Sequence, residues 1–396
     1  MSFSFNMYQT LGLAIVLLLL GNWIKTKVGV LQKYFIPAPV VGGLLFSILA
    51  TIGHMNGMFT FEFDNILQGF FMVVFFTSVG FLASFALLKK GGVAVGLFLL
   101  CAVVLVIIQD AVGVTLAKML GLNPGIGLAA GSIPLTGGHG TAGAFGPFLE
   151  ERGVQGATVV AIAAATYGLV AGCIIGGPIA KKLTDRFKLK CTEGTKAEAK
   201  AESTEAVEPV TEKSMFQAVC MIGIAMGIGT SITPIIKSLA GITLPAYLMP
   251  MFVAAIMRNV VDGRGKTPVD EISIVGNICL SLFLAMAMMT MKLWQLADLA
   301  LPLMTILAVQ TVIMGLYAYF VTFNVMGRDY DAAVMATGHC GFGMGATPNA
   351  IANMEAFTSV NGFSTKAFFV VPLVGSLFID FFNATIIQTF ASIFVG

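Results

Sequence analysis

The sequence predicts an all-α integral membrane protein. It should hold two five-helix halves of opposite orientation, about ten transmembrane spans in all, with a Gly-rich broken segment in each half. Three observations carry that prediction: a composition suited to lipid, a ladder of apolar runs long enough to cross a bilayer, and two Gly-dense interruptions at matching places.

Of the 396 residues, 57% are hydrophobic and 11% charged, and the mean hydropathy is +0.91. Soluble domains carry about 25% charged residues, so too little charge is present here to clothe a water-facing surface. The 45 Gly point the same way, because Gly lets membrane helices approach closely or break. A net charge of +2 spread along the chain excludes nucleic acid as a partner class. Cys101, Cys173, Cys191, Cys220, Cys279 and Cys340 form no CxxC pair, which argues against a disulfide framework or a zinc site. The first basic residue is Lys25; with no basic region before the first apolar run, that run is expected to stay as a membrane helix and not to be a signal peptide.

A span needs about 20 apolar residues. The first half offers 8–24, 36–54, 66–88, 93–119 and 157–180. The second offers 216–240, 244–258, 269–291, 299–325 and 366–394, and a long run such as 93–119 can be a broken helix. Gly-rich stretches at 125–148 and 331–354 precede the fifth span of each half, and neither reads as one continuous helix. Residues 191–214 are polar, charged and low in complexity, as in a cytoplasmic linker. The expected organisation is therefore 1–190, a linker at 191–214, and 215–396.

With the N-terminus outside, all of the 22 basic residues except Lys118, Arg152, Lys237 and Lys292 face the cytoplasm. That bias is strongly positive-inside. It places both termini in the periplasm. Five spans per half invert the second half relative to the first, as in transporters built from inverted repeats. Local likenesses support the repeat: Ile108-Gln109 matches Val309-Gln310, and 128–142 aligns without gaps to 335–349. One half can then do at one face what the other does at the opposite face, the symmetry that alternating access uses.

Candidate chemistry lies in the two Gly-dense motifs: Thr136, Gly137, Gly138, His139, Gly140 and Thr141, and Gly338 to Asn349 with Gly341, Gly343, Gly345, Thr347, Pro348 and Asn349. Backbone that leaves helical form at membrane depth is tolerated only where protein or a water-filled cavity satisfies it. Such breaks offer carbonyls to Na⁺ and helix N-terminal N–H groups to carboxylates. Pro348 and Asn349 suit the start of a half-helix with Thr347 at or near its N-cap. The competing explanation is close helix packing through small residues. His139 and His339 either bind substrate or protons or serve as fixed hydrogen-bond partners.

Charged groups at membrane depth cost at least about 2.5 kcal/mol and mark ion pathways. Asp380 with Asn383, one turn apart, is the leading cation-site candidate, followed by Asp110. Gln310 and Asn277 are polar liners or interhelical hydrogen-bonding groups. The segment Gly263-Arg264-Gly265-Lys266-Thr267 fails as a phosphate loop because position 260 is Val260. No HExxH or GxSxG pattern is present, so an enzyme is not expected. The remaining driving force is an ion gradient, with each inward elementary charge contributing about 2.3 kcal/mol per 100 mV.

The chain resembles the bacterial sodium/glutamate symporter family. The matching stretches are Pro37 to Gly43, Thr136 to Thr141, 277–289 with Lys292-Leu293-Trp294, and Tyr330 to Val334. The most specific is 338–354 (GHCGFGMGATPNAIANM), followed by Phe369 to Pro372 and Asp380. Asp110 departs from the pattern, where Asn is common, and Pro134 is a second departure. The resemblance implies Na⁺-dependent uptake of L-glutamate across the bacterial inner membrane, with Na⁺ as coupling ion and no other cofactor. It also implies two inverted five-helix domains with a re-entrant loop in each, a homodimer and an elevator-like movement. The alternatives are a Na⁺ or H⁺ symporter of another small carboxylate, a passive channel, or a membrane enzyme.

Overall fold

Lipid offers backbone groups no hydrogen bonds, so a chain of this composition closes them internally as helices. The structure is a computed structural model that describes residues 2–33, 36–90, 92–191, 209–240, 244–261, 267–294 and 299–396. Most of the linker expected at 191–214 lies outside these residues, and Glu212 already belongs to the next helix.

The chain opens with a short strand, β1 (Ser2–Phe5), and α1 (Met7–Lys27). Asn6 starts α1 with a capping box: its side chain accepts from Tyr8 and Gln9 N–H, and the Gln9 side chain accepts from Asn6 N–H. After α2 (Gly29–Lys33) and α3 (Ala38–Met55) comes β2 (Thr60–Phe63), parallel to β1 with Ser2 opposite Thr60. This two-stranded sheet adds to the all-α expectation. It is held by Phe residues at alternate positions, Phe5 against Phe63 at 5.2 Å and Phe3 against Phe61 at 5.8 Å.

Next come α4 (Ile66–Leu82) and α5 (Phe85–Lys90), so the run expected at 66–88 is interrupted at Ala83-Ser84. By contrast α6 (Gly92–Met119) runs 28 residues unbroken. The first Gly-rich stretch is split into α7 (Pro124–Ala129), α8 (Ser132–Leu135) and α9 (Gly138–Glu150), ahead of α10 (Ala157–Phe187). Asn123 caps α7 through Gly125 N–H, with Pro124 in its first turn.

The second half contains α11 (Glu212–Ala240), α12 (Leu248–Val261), α13 (Val269–Met289) and α14 (Ala300–Tyr317). A π-turn (Ala318–Thr322) joins α14 to α15 (Phe323–Val325). The second Gly-rich stretch is a helical hairpin, α16 (Tyr330–Gly343) and α17 (Thr347–Asn361). The chain ends with α18 (Thr365–Leu377) and α19 (Ile379–Phe394), bent by 43° relative to each other.

Among the described residues, seven helices are long and apolar enough to cross a membrane, or eight when the bent α18–α19 pair is taken as one span. Of the remaining expected spans, α4 and α12 are shorter apolar helices of 17 and 14 residues.

Two packed groups of helices result. In the first, α1 packs on α3 and α3 on α13, while α11 packs on α12 and α12 on α4; α4 and α13 cross at the centre. Glycines set these approaches. A Cβ on Gly21 would strike the Ala38 carbonyl, one on Gly43 the Met288 side chain, one on Gly80 the Met251 carbonyl, and one on Gly229 the Pro250 backbone. The second group gathers α6 to α10 with α14 to α19. Contacts between the groups run through α9 on α13 and through α18 and α19 on α4.

One face of the molecule is identified by its contacts. The Arg152 guanidinium donates to the carbonyl of Gly396 at 3.2 Å, and Lys118 lies 4.6 Å over the Phe394 ring. His54, near the end of α3, stacks on Trp294 just beyond α13 at 4.1 Å. The opposite face carries Lys181, Lys182 and Arg186, where Arg186 donates to the Tyr319 hydroxyl at 3.1 Å.

Candidate functional site

The two Gly-rich stretches meet. Gly138, at φ +63°, begins α9, and a Cβ placed there would lie 3.0 Å from the Gly345 carbonyl oxygen, at the tip of the second hairpin. Glycine is required at Gly138 because that backbone conformation disfavours L side chains. Gly137, Gly140, Ala346 and Thr347 are partly exposed at this meeting point, whereas Thr136, His139, Thr141, Gly341, Gly343 and Gly345 are buried.

Both tips present helix N-termini. Helix α9 begins at Gly138 and α17 at Thr347, and neither has a side-chain cap on its first N–H groups. The N-cap of α17 is Ala346, so Thr347 and Pro348 occupy its first turn. At α17 Pro348 has no N–H and the Asn349 N–H donates to the Ala346 carbonyl at 3.0 Å, so the Thr347 N–H and the helix dipole are what favour an anion there. A Cβ on Gly375 of α18 would lie 3.0 Å from Thr347 Oγ1, which fixes that hydroxyl beside the last spans.

The glycines of the second motif do different work. A Cβ on Gly341 would lie 2.5 Å from Ala350 Cα, across the hairpin, and one on Gly343 would meet Leu105 and Met314. A Cβ on Gly168 of α10 would strike the Met344 carbonyl, and one on Gly172 would lie 2.8 Å from the Cys340 carbonyl. The second hairpin therefore seats against a groove in α10 cut by Gly168 and Gly172.

Polar side chains tie the breaks to the spans beside them. Gln109 of α6 donates through Nε2 to the Gly343 carbonyl at 2.7 Å and accepts from the Thr136 hydroxyl through Oε1 at 2.8 Å. Gln310 of α14 donates to the Gln109 carbonyl at 2.7 Å. His139 shares a hydrogen bond with Thr166 of α10 at 3.0 Å. His339 shares one with Thr322, in the π-turn, at 2.8 Å, and its ring stacks 4.9 Å from Phe342. Asn349 donates to the Leu169 carbonyl at 2.8 Å. Both histidines thus have fixed hydroxyl partners.

Three of the four cation candidates converge, joined by a residue that sequence reasoning missed. Asp110 accepts the Ser132 N–H through Oδ1 at 2.8 Å, and Asn383 donates to the Ser132 carbonyl at 3.3 Å. Gln310 bonds the backbone of Gln109, the residue before Asp110. All of these side chains are buried, yet Asp110 Oδ2, Ser132 Oγ, Asn383 Oδ1 and Gln310 Oε1 have no hydrogen-bond partner among the described residues. Unsatisfied buried oxygens are uncommon in native structures, and Asp110 Oδ2, Ser132 Oγ and Asn383 Oδ1 belong to side chains joined at Ser132, oxygen donors of the kind a hard cation takes. Asp380 lies in the first turn of α19, beside the bend and one turn before Asn383. Among the described residues no group of three His, Cys, Asp or Glu could hold a metal ion.

Ser132 and Gln109 escaped sequence reasoning because a lone hydroxyl and a lone amide are common in membrane helices. A signal was present for Gln109, in its alignment with Gln310.

The family model described as sodium/glutamate symporter matches residues 3–363. A sodium/glutamate symporter of Haemophilus influenzae is 42% identical over 397 residues, covering 98% of each chain. One from Escherichia coli is 42% identical over 393 residues, with the same coverage. Among solved structures, the sodium proton antiporter MjNhaP1 of Methanocaldococcus jannaschii aligns over 98% of both chains at 12% identity, with a TM-score of 0.45. The chain belongs to the sodium/glutamate symporter family.

Proposed function

We propose that this protein is a secondary active transporter that carries L-glutamate inward with Na⁺ across a bacterial inner membrane, by alternating access. The observation that carries the reading is the meeting of the two Gly-rich breaks, Gly138 against the Gly345 carbonyl, each beside the start of a helix. Glutamate has two carboxylates, and each N-terminus can take one. The substrate-binding residues in this reading are Thr136 to Thr141 on one side and Thr347, Pro348 and Asn349 on the other. Gly341, Gly343 and Gly345 let the hairpin arms close behind them.

Na⁺ is held by Asp110, Ser132 and Asn383, with Gln310 beside them and Asp380 on the approach along α19. The unsatisfied oxygens of this set support that assignment. One inward positive charge per cycle beyond the substrate's own charge adds the membrane potential to the driving force.

Residues 1–190 and 215–396 are inverted repeats of five spans each, ten in total, joined by a cytoplasmic linker at 191–214. Support comes from the matched packing of α1–α3–α13 and α11–α12–α4. Both termini lie in the periplasm. In support, the face that carries Gly396 also carries Lys118 and Arg152, two of the few basic residues off the basic side. The group containing the hairpins moves against the group centred on α4 and α13, in the manner of an elevator, within a homodimer.

The test is uptake of labelled L-glutamate into proteoliposomes under an imposed Na⁺ gradient, with aspartate and dicarboxylates as competitors. Accumulation that needs Na⁺ and resists dicarboxylates supports the proposal. Equal uptake on a proton gradient alone removes the Na⁺ coupling, and stronger competition by a dicarboxylate assigns the chain to another carboxylate.

A further inference from the structure

A cavity of about 460 Å³ opens between the two helix groups, lined along α9 from Gly143 to Glu150 and so beginning more than a turn beyond Gly138. Gln68 of α4, Tyr247 just before α12 and Lys292 just after α13 line it from one group. Glu150, at the end of α9, and Thr158 of α10 line it from the other. By its helix ends it lies on the face of Arg152 and Gly396, the outer face in the orientation proposed above.

The wall is polar in a way the fold does not use. Tyr247 is fully buried, its ring stacked 4.2 Å from Phe76 and set edge-on to Phe145 at 5.6 Å, so it bridges the two groups. Its hydroxyl has no hydrogen-bond partner among the described residues, and neither do Gln68 Oε1 and Thr158 Oγ1. Glu150 is pinned at the wall by accepting the Thr158 N–H through Oε1 at 3.1 Å. Three partnerless polar atoms around one cavity call for a ligand or ordered water.

The chemistry of the set is two-sided. Gln68 Oε1 and the carboxylates of Glu150 and Glu151 are acceptors and suit an ammonium group. The Tyr247 hydroxyl and the Lys292 ammonium are donors and suit a carboxylate. We infer that this cavity is a second, outer binding site for a small zwitterionic amino acid, holding it ahead of the hairpin tips. The inference rests on the reading above that the chain carries an acidic amino acid.

The test is calorimetric titration of the full-length protein in lipid nanodiscs with L-glutamate, in Na⁺ and in K⁺. The wild type should show one Na⁺-dependent class of site, at the hairpins, and one weaker class that persists in K⁺. Tyr247→Phe removes only a partnerless hydroxyl and should weaken the K⁺-persistent class about tenfold, as loss of a hydrogen bond to a charged group does. Glu150→Gln should do the same and carries the test should Tyr247→Phe fail to insert. Thr136→Val should weaken the Na⁺-dependent class alone. No binding in K⁺, a K⁺-persistent class indifferent to both cavity variants, or a change confined to the Na⁺ titration would each overturn the inference. Loss of the Na⁺-dependent class in the wild type, with the Tyr247-sensitive class kept, would count against the hairpin reading and leave this one standing.

Discussion

Gln109 Nε2 donates to the Gly343 carbonyl at 2.7 Å, so a side chain of the first half holds the backbone break of the second. The same side chain accepts from Thr136 in the first half's own break. One amide thereby sets the spacing of both tips.

Replacing that amide separates its two tasks. Gln109→Glu keeps an acceptor for Thr136 but removes the donor to Gly343; Gln109→Leu removes both. A buried carbonyl left without its partner costs about 1–3 kcal/mol. Glutamate uptake should fall about tenfold or more in Gln109→Glu and further in Gln109→Leu, with both proteins still inserted. Initial rates in proteoliposomes, beside size-exclusion profiles, make the comparison.

Gly168→Ala places a methyl group against the Met344 carbonyl and should unseat the second hairpin. Overpacking of this kind costs about 1–3 kcal/mol. The melting temperature should drop and transport should be lost with it. Gly96→Ala is the control: nothing lies within 4 Å of a Cβ there, and Ala favours a helix interior by about 0.5–1 kcal/mol over Gly. A thermal shift assay should rank Gly96→Ala at or above wild type and Gly168→Ala well below.

Ser132→Ala keeps the backbone N–H that Asp110 accepts and removes only the hydroxyl beside that carboxylate. Stability without Na⁺ should therefore hold. If the hydroxyl serves the ion, the Na⁺ concentration for half-maximal uptake should rise about fivefold to tenfold, as for a lost bond to a charged group. Melting curves with and without Na⁺ separate the effects: the stabilisation by Na⁺ should shrink in the variant only.

Asp380→Asn retains shape and removes charge. Na⁺-driven uptake should be lost while the protein still inserts. Asn383→Ala should act in the same direction, because Asn383 reaches the Ser132 carbonyl. A Na⁺ activation curve unchanged in Asp380→Asn would remove that residue from the pathway.

Much of the fold was legible because hydropathy reports on lipid directly. Runs such as 93–119 became α6 within a residue, and the Gly-dense stretches marked the breaks at 130–137 and 344–346. Local chemistry with long-range causes was hidden. The strands at Ser2–Phe5 and Thr60–Phe63 are too short to announce themselves until they pair. The 43° bend at Phe378 lies six residues beyond Pro372, and the π-turn at Ala318–Thr322 has no signature in the sequence. At the site, Asp110 and Asn383 were visible as costly polar residues in apolar runs. Their link, Ser132, was not, because its backbone N–H and carbonyl do the joining and any residue type supplies those.

The most direct measurement is a cryo-EM structure of the protein in nanodiscs with Na⁺ and L-glutamate. The account predicts amino-acid density between the N-termini of α9 and α17, beside Gly138 and Thr347, and a cation against Asp110, Ser132 and Asn383. Amino-acid density confined to another part of the molecule, with none at those two N-termini, would contradict it.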